Sequence, residues 1–439
     1  MICGIDLGTT NSLIGHGDDL FTGLVSSSVD IATGKQTERD KVSDTIVSSY
    51  KVDMTIGSSG ELPIKCSSII LRDLVNKASA RTGEIIEDIV VSVPAKFSHT
   101  QRQAVWKAAE DAGLKMHGLI NEPTAAAFYI CRDMKDLIVV YDLGGGTFDV
   151  TILESRNGCY YVIATDGDGH LAGDNFDTAI ANEAFRVCKV PIRYRGKDNM
   201  KLLRSKCRLA KESMQRTGLD QYIDMSFIPG CTEYKLTLAK YIELMKAIFA
   251  PTVKLTKQTV RTYLDDKDEP KIIFVGGSTA CPYLRKWVLE ETGLEEIECD
   301  LMPDFIVAKG VALYAQMVEE GRAAIEVSDV TKCLSIEDRL GMAQVIIEKN
   351  TNIPCEESAE FHNYSDTDCV SIDLYQGDSL IAAENEYIGT LEFPFDEVRK
   401  AGDATLEVAV RVDANGLVTL SCTDMLTYET KEVQLKING

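Results

Sequence analysis

A two-lobed α/β region followed by an all-β region is the fold class that the sequence predicts. Three observations carry it. Through the first three quarters of the chain, short apolar runs alternate with helical patterns, as in an α/β architecture built on central sheets. A unit of strand, Asp-Leu-Gly, small-residue turn and second strand occurs twice, as GIDLGTTNSLI from residue 4 and VYDLGGGTFDVTIL from residue 140. Beyond about residue 330 no helix-length periodicity remains, and apolar residues alternate instead.

The runs Ile2–Asp6, Ile89–Val93, Leu137–Asp142 and Lys271–Val275 have strand length, and each ends at a turn marked by Gly, Pro or Asp. Ser98 with Gln101 three residues on forms a capping box. Ala104, Val105, Ala108 and Ala112 give that helix its apolar face, and Gly113 its C-cap. Further helices are predicted at about 67–81, 123–132, 174–188, 199–217, 236–265, 280–292 and 303–320. In the C-terminal region Leu406, Val408, Val410 and Val412 alternate into the turn Asp413-Ala414-Asn415-Gly416, and a second strand starts at Leu417. The expected boundaries are 1–322 for the α/β region, 323–330 for a linker and 331–439 for the β-region.

The 439 residues suffice for several cores, and 26% charged with 45% hydrophobic residues is ordinary globular composition. With 46 Lys and Arg against 68 Asp and Glu, the net charge is −22. An acidic chain without a dense basic cluster repels phosphate backbones and anionic lipid, which argues against nucleic-acid and membrane partners. Thirteen cysteines without a C-x-x-C pair read as reduced thiols rather than a disulfide framework or zinc site. The first ten residues, MICGIDLGTT, lack a basic segment and an apolar leader, so a cytoplasmic location is expected.

Asp6 and Asp142 stand 136 residues apart, too far for a solenoid period, so the repeat reads as duplicated lobes facing each other across a cleft. Asp-Leu-Gly followed by Thr-Thr or Gly-Gly-Thr presents unobstructed backbone amides and a hydroxyl at a tight turn, able to close around a phosphate. Either turn alone could be an ordinary Gly-rich hairpin; two that keep the aspartate point to one polyphosphate, with the carboxylates serving a magnesium ion. Gly276, Gly277 and Ser278 form a third strand-turn ahead of a helix, suited to a nucleoside or phosphate contact. There is no G-x-x-x-x-G-K-[ST]. GDGHLAG at 167–173 approaches a dinucleotide fingerprint but lacks a properly placed following helix and an acidic partner, which argues against a dinucleotide fold.

IDLGTTNS, VSVPAKF, INEPTAAA, YDLGGGTFDV, LAGDNFD, VGGST and PDFIVAKG, in this order, resemble the nucleotide-binding domain of DnaK-type 70-kDa heat-shock chaperones, which share the actin-like ATPase fold. EKNTNIP, YQGD and DANGLVTLSCTD resemble the β-sandwich peptide-binding domain of the same family. The resemblance implies ATP or ADP with Mg2+ as cofactors. It gives Gly8, Thr9 and Thr10 the first phosphate loop, and Gly144, Gly145, Gly146 and Thr147 the second. Asp6 and Asp142 become metal-shell carboxylates acting through water, Glu122 orients metal and water, and Lys51 stands as the catalytic lysine, with a solvated strand lysine as its alternative. Gly173, Arg208, Lys211, Gln215, Gly276, Gly277, Ser278 and Asp304 map to the nucleotide. Phe361, Val370 and Ile372 map to the peptide groove, or else are plain sandwich core. Implied partners are unfolded or extended peptide segments, a J-domain co-chaperone and a nucleotide exchange factor.

The chain also departs from the family pattern. Glu212 and Ala280 replace arginines that sandwich adenine, and Glu337 and Asp338 stand near where a Gly and an apolar groove residue are usual. Gly118 precedes LINEPT where an arginine assists co-chaperone coupling, the linker is polar although Asp329 is kept, and the helical lid is expected to be absent. The expected function is an ATP-hydrolysing, ATP-gated peptide chaperone. The alternatives are a nucleotide-holding adaptor without catalysis, and an actin-like filament or small-molecule kinase. His16, His99, His117, His170 and His362 show no metal spacing, and Trp106 and Trp287 read as packing residues.

Overall fold

The computed structural model describes all residues except 39–40, 42, 55–59, 132–136, 157–158, 266, 323–325, 328–331, 350, 352, 414–415 and 435–439. The expected linker therefore lies largely outside the described residues, with Asp329, as do Ala414 and Asn415 of the predicted turn.

The strand Ile2–Leu7 is apolar along almost its whole length because it is paired on both edges and covered on both faces. It runs antiparallel to Asn11–His16 and parallel to Asp88–Val93, which in turn runs parallel to Lys115–Asn121. Leu137–Leu143 repeats the arrangement in a second six-stranded sheet. It is antiparallel to Phe148–Arg156 and parallel to Lys271–Val275, and Cys159–Asp168 continues the sheet beyond Phe148–Arg156. Glu326–Val327, inside the expected linker, adds a parallel edge opposite Tyr160 and Tyr161.

Eight α-helices are present among the described residues: α1 Glu61–Thr82, α2 His99–Asp111, α3 Glu122–Ile130, α4 Gly173–Val187, α5 Lys197–Thr217, α6 Leu238–Tyr263, α7 Pro282–Thr292 and α8 Pro303–Glu319. The capping box of α2 forms: Ser98 Oγ accepts from the Gln101 amide, and the Gln101 side chain accepts from the Ser98 amide. Helix α1 starts six residues before its expected position, because Pro63 falls in the first turn, where its missing N–H costs nothing. Helix α7 starts two residues later than expected, since a 3-10 turn, Gly277–Ala280, comes first. The helix predicted at 174–188 forms as α4, which begins one residue earlier at Gly173, the last residue of GDGHLAG.

Helix α8 lies between the lobes. A Cβ at Gly4 would strike the Val311 carbonyl, and one at Gly310 would strike the Ala125 carbonyl in α3, so two glycines let three backbones approach closely.

The C-terminal region holds two four-stranded antiparallel sheets, one built around Thr367–Gln376 and the other around Thr405–Val412. Leu406, Val408, Val410 and Val412 point into their shared core, as the alternation predicts. This region touches the N-terminus of α2: the His99 amide donates to Gln376 Oε1 (3.0 Å), Val418 N–H donates to His99 Nδ1 (3.1 Å), and Ser98 Oγ donates to Glu386 Oε1 (3.1 Å).

Candidate functional site

The two Asp-Leu-Gly hairpins meet. A Cβ on Gly146 would lie 2.5 Å from Thr9 Cγ2, so the turn at 144–147 packs directly on the turn at 8–10. The Gly144 amide closes its own turn onto the Thr147 carbonyl at 3.1 Å. The Gly144 and Gly145 carbonyls accept from the Gly173 and Asp174 amides at the start of α4, at 3.1 and 3.0 Å. Ser278 Oγ also donates to the Gly144 carbonyl, at 3.0 Å.

Lys51 enters from a 3-10 turn, Tyr50–Asp53, whose preceding residue Ser49 has φ 57°, a left-handed backbone rare outside glycine. Ser49 Oγ donates to Asp174 Oδ2 (3.1 Å) and anchors that geometry across the cleft. Lys51 is 3% exposed, and its Nζ donates to Glu122 Oε1 at 2.5 Å and lies 5.7 Å from the Phe97 ring. Glu122 opens α3 with Pro123 behind it, and the preceding Asn121 is held by Arg102 Nη2 at 2.6 Å. Lys51 is thus no solvated strand lysine.

These groups line a cleft cavity of about 760 Å³. Of the nucleotide residues expected from the sequence, Asp6, Gly8, Thr9, Thr10, Lys51, Glu122, Asp142, Gly144, Gly145, Thr147, Arg208, Lys211, Gln215, Gly276, Gly277, Ser278 and Asp304 all face it. Gly146 sits behind Thr9, and Gly173 is wedged beside Ser278 and Lys211. Two cations are engaged within the protein: Lys211 Nζ pairs with Asp177 Oδ1 at 2.7 Å, and Arg208 Nη1 with Glu212 Oε1 at 3.6 Å. Glu212 and Ala280 also line the wall, and neither side chain is a guanidinium; the guanidinium side chains that line this cavity are Arg208, Arg216 and Arg285.

The floor is rich in carboxylates. Asp6, which accepts from Ser92 Oγ at 2.9 Å, is pushed up to about 7 by burial and then by Glu122, against the opposing charge of Lys51. Burial, followed by Glu122 and Asp149, raises Asp142 well above the ordinary carboxylate range. Asp149, opposite Asp142 in the ladder but not among the residues lining the cavity, is pushed up to about 7 by burial and Glu122, with Lys96 and Lys51 opposing. Several desolvated carboxyls, opposed by only Lys51 and Lys96, resist ionising side by side, and a hard divalent cation would offset that repulsion. Among the described residues no three His, Cys, Asp or Glu side chains form a ready cage, so a metal would rely on waters and ligand oxygens as well.

The sequence reading missed Asp149. Pairing Asp142 with Asp149 and Leu143 with Phe148 places it opposite Asp142 on one face, and counting outward from the second turn would have found it. It also missed Asp177, the buried partner of Lys211, and the contacts of His99 with the C-terminal region. The three groove residues lie outside the cleft. Ile372 is buried in the sandwich core, and Phe361 and Val370 pack against that core. No helix among the described residues is long and apolar enough to cross a membrane.

The family model described as Hsp70 protein matches residues 30–439. The chain belongs to the Hsp70 family. Its members are ATP-dependent chaperones with a two-lobed, actin-like ATPase fold, which bind ATP or ADP with Mg2+ and work on client peptides together with co-chaperones.

Proposed function

We propose that this chain hydrolyses Mg-ATP in the cleft and that nucleotide state gates the binding of extended apolar segments by the C-terminal region. The observation that carries the reading is the contact of the two Asp-Leu-Gly corners around a cavity that also holds the Lys51–Glu122 pair. Asp6 and Asp142 would hold magnesium, largely through water, and the ion supplies charge neutralisation at the phosphates. Gly8, Thr9, Thr10 and the 144–147 turn, with Thr147, bind the phosphate oxygens through amides and hydroxyls. Lys51 stabilises the charge that develops on the transferred phosphoryl group, and Glu122 orients Lys51 and the attacking water. Arg208, Lys211, Gln215, Gly276, Gly277, Ser278 and Asp304 hold the nucleoside end, and Gly173 fixes the start of α4 against the second turn.

On the peptide side, Phe361, Val370 and Ile372 form the base of the groove, and a J-domain co-chaperone and an exchange factor act on the cycle as in the family. The test is ATP turnover with and without an unfolded peptide, together with peptide affinity in ATP and in ADP. Slow turnover and weaker peptide binding in ATP are expected; equal affinity in both nucleotides would remove the gating.

A further inference from the structure

We propose that Lys96 is a positioning residue for hydrolysis, one that fastens the strand backing Asp149 to the lobe that carries Lys51. The inference rests on the hydrolytic reading above. Lys96 belongs to the loop between Asp88–Val93 and α2, on the first sheet, but its ammonium crosses to the second. It donates to Asp166 Oδ1 at 3.0 Å and to the Gly167 carbonyl at 3.2 Å. Asp166 Oδ1 in turn accepts from the Gly167 amide at 2.8 Å, so one ammonium and one carboxylate grip both ends of a single residue.

Gly167 stands directly opposite Asp149 in the ladder. It has no slack: a Cβ there would lie 2.6 Å from Asp149 Oδ1 and 3.0 Å from Asp149 Cα. A close-packed contact of this kind passes displacement on instead of absorbing it, so the position of Gly167 sets that of the Asp149 carboxylate. The residue after Lys96 is Phe97, the ring that faces the Lys51 ammonium. One short loop therefore touches the Lys51 ammonium through Phe97 and, through Lys96, the support of the carboxylate paired opposite Asp142.

The ion pair itself is half exposed, with Lys96 at 37% and Asp166 at 46%, and such pairs add little to stability. Its contribution is geometric, and this separates it from a merely structural role. The experiment compares Lys96→Met and Lys96→Arg in the full chain by single-turnover ATP hydrolysis, ADP affinity and melting temperature. Lys96→Met is expected to slow hydrolysis about tenfold, with ADP affinity within about twofold and melting within about 2 °C of the parent. Lys96→Arg, which keeps the charge and donors, is expected to recover most of the rate. A Lys96→Met rate equal to the parent's, a loss of affinity and melting in step with rate, or no recovery with arginine would each overturn the proposal. A parent chain that binds nucleotide without turnover would overturn the hydrolytic reading as well.

Discussion

Lys51 reaches Glu122 across 71 residues of sequence, from a turn whose Ser49 holds a left-handed backbone. It is the main positive charge among the floor carboxylates, so Lys51→Met is expected to cut turnover by about 10²–10³ while nucleotide still binds, as single-turnover kinetics and ADP titration would show. Asp304 allows a test by pH. Burial, followed by Glu212, pushes its carboxyl up to about 6 from an ordinary 3.8. A folded-state value above the unfolded one means that folding favours the protonated form, so the contribution of Asp304 to stability is fully present below about pH 4 and is lost as pH rises through about 6. Asp304→Asn should therefore melt a few degrees above the parent at pH 8, roughly, with the gap closing towards pH 4; a gap of constant size would mean that the charge is not responsible. At this scale the turn glycines and Asp6 and Asp142 were legible, since turn chemistry is local. The depth at which Lys51 sits was not, because burial depends on what packs over it.

Helix α8 shows what an element's sequence does and does not reveal. The pattern of PDFIVAKGVALYAQ, with Pro at its start, predicts a helix, and one forms. That Gly310 must meet the Ala125 carbonyl is invisible in that pattern. Gly310→Ala is expected to lower stability by about 1–3 kcal/mol or more, because the obstacle is backbone and cannot rotate away. Gly169→Ala is the control: no heavy atom lies within 4 Å of a Cβ there, so melting should not move by more than about 1 °C. Equal effects at both sites would argue against close packing of α8. The same limit explains the three groove residues. Ile372 stands on an inward face, and the inward faces of a sandwich form its core.

Across the whole molecule, the C-terminal region rests on α2 through His99, which lies 277 residues from Gln376 in sequence. Gln376→Ala removes the acceptor of the His99 amide and loosens a buried contact. Amide exchange at His99 and Val418 should quicken several-fold, while Val408, in a strand paired on both sides, keeps its protection. Unchanged exchange at His99 would show that this contact does not hold the two regions together. Ser98 illustrates why such a surface escaped the sequence. Its capping box fully explained a serine at that position, yet the same hydroxyl also reaches Glu386.

The sequence alone determined the elements whose causes lie within a dozen residues: the two Asp-Leu-Gly turns, α2 with its capping box and Gly113, and the alternating strands of the C-terminal sandwich. Dihedral preference, capping and periodicity act over that range. The tertiary structure decided the rest. It brought Gly146 onto Thr9, gave Asp149 its place beside Asp142 and Glu122, tied Lys96 to Gly167 across the cleft, and seated His99 against the last sheets. Each of these depends on excluded volume and desolvation between segments far apart in the chain, and no local pattern encodes them.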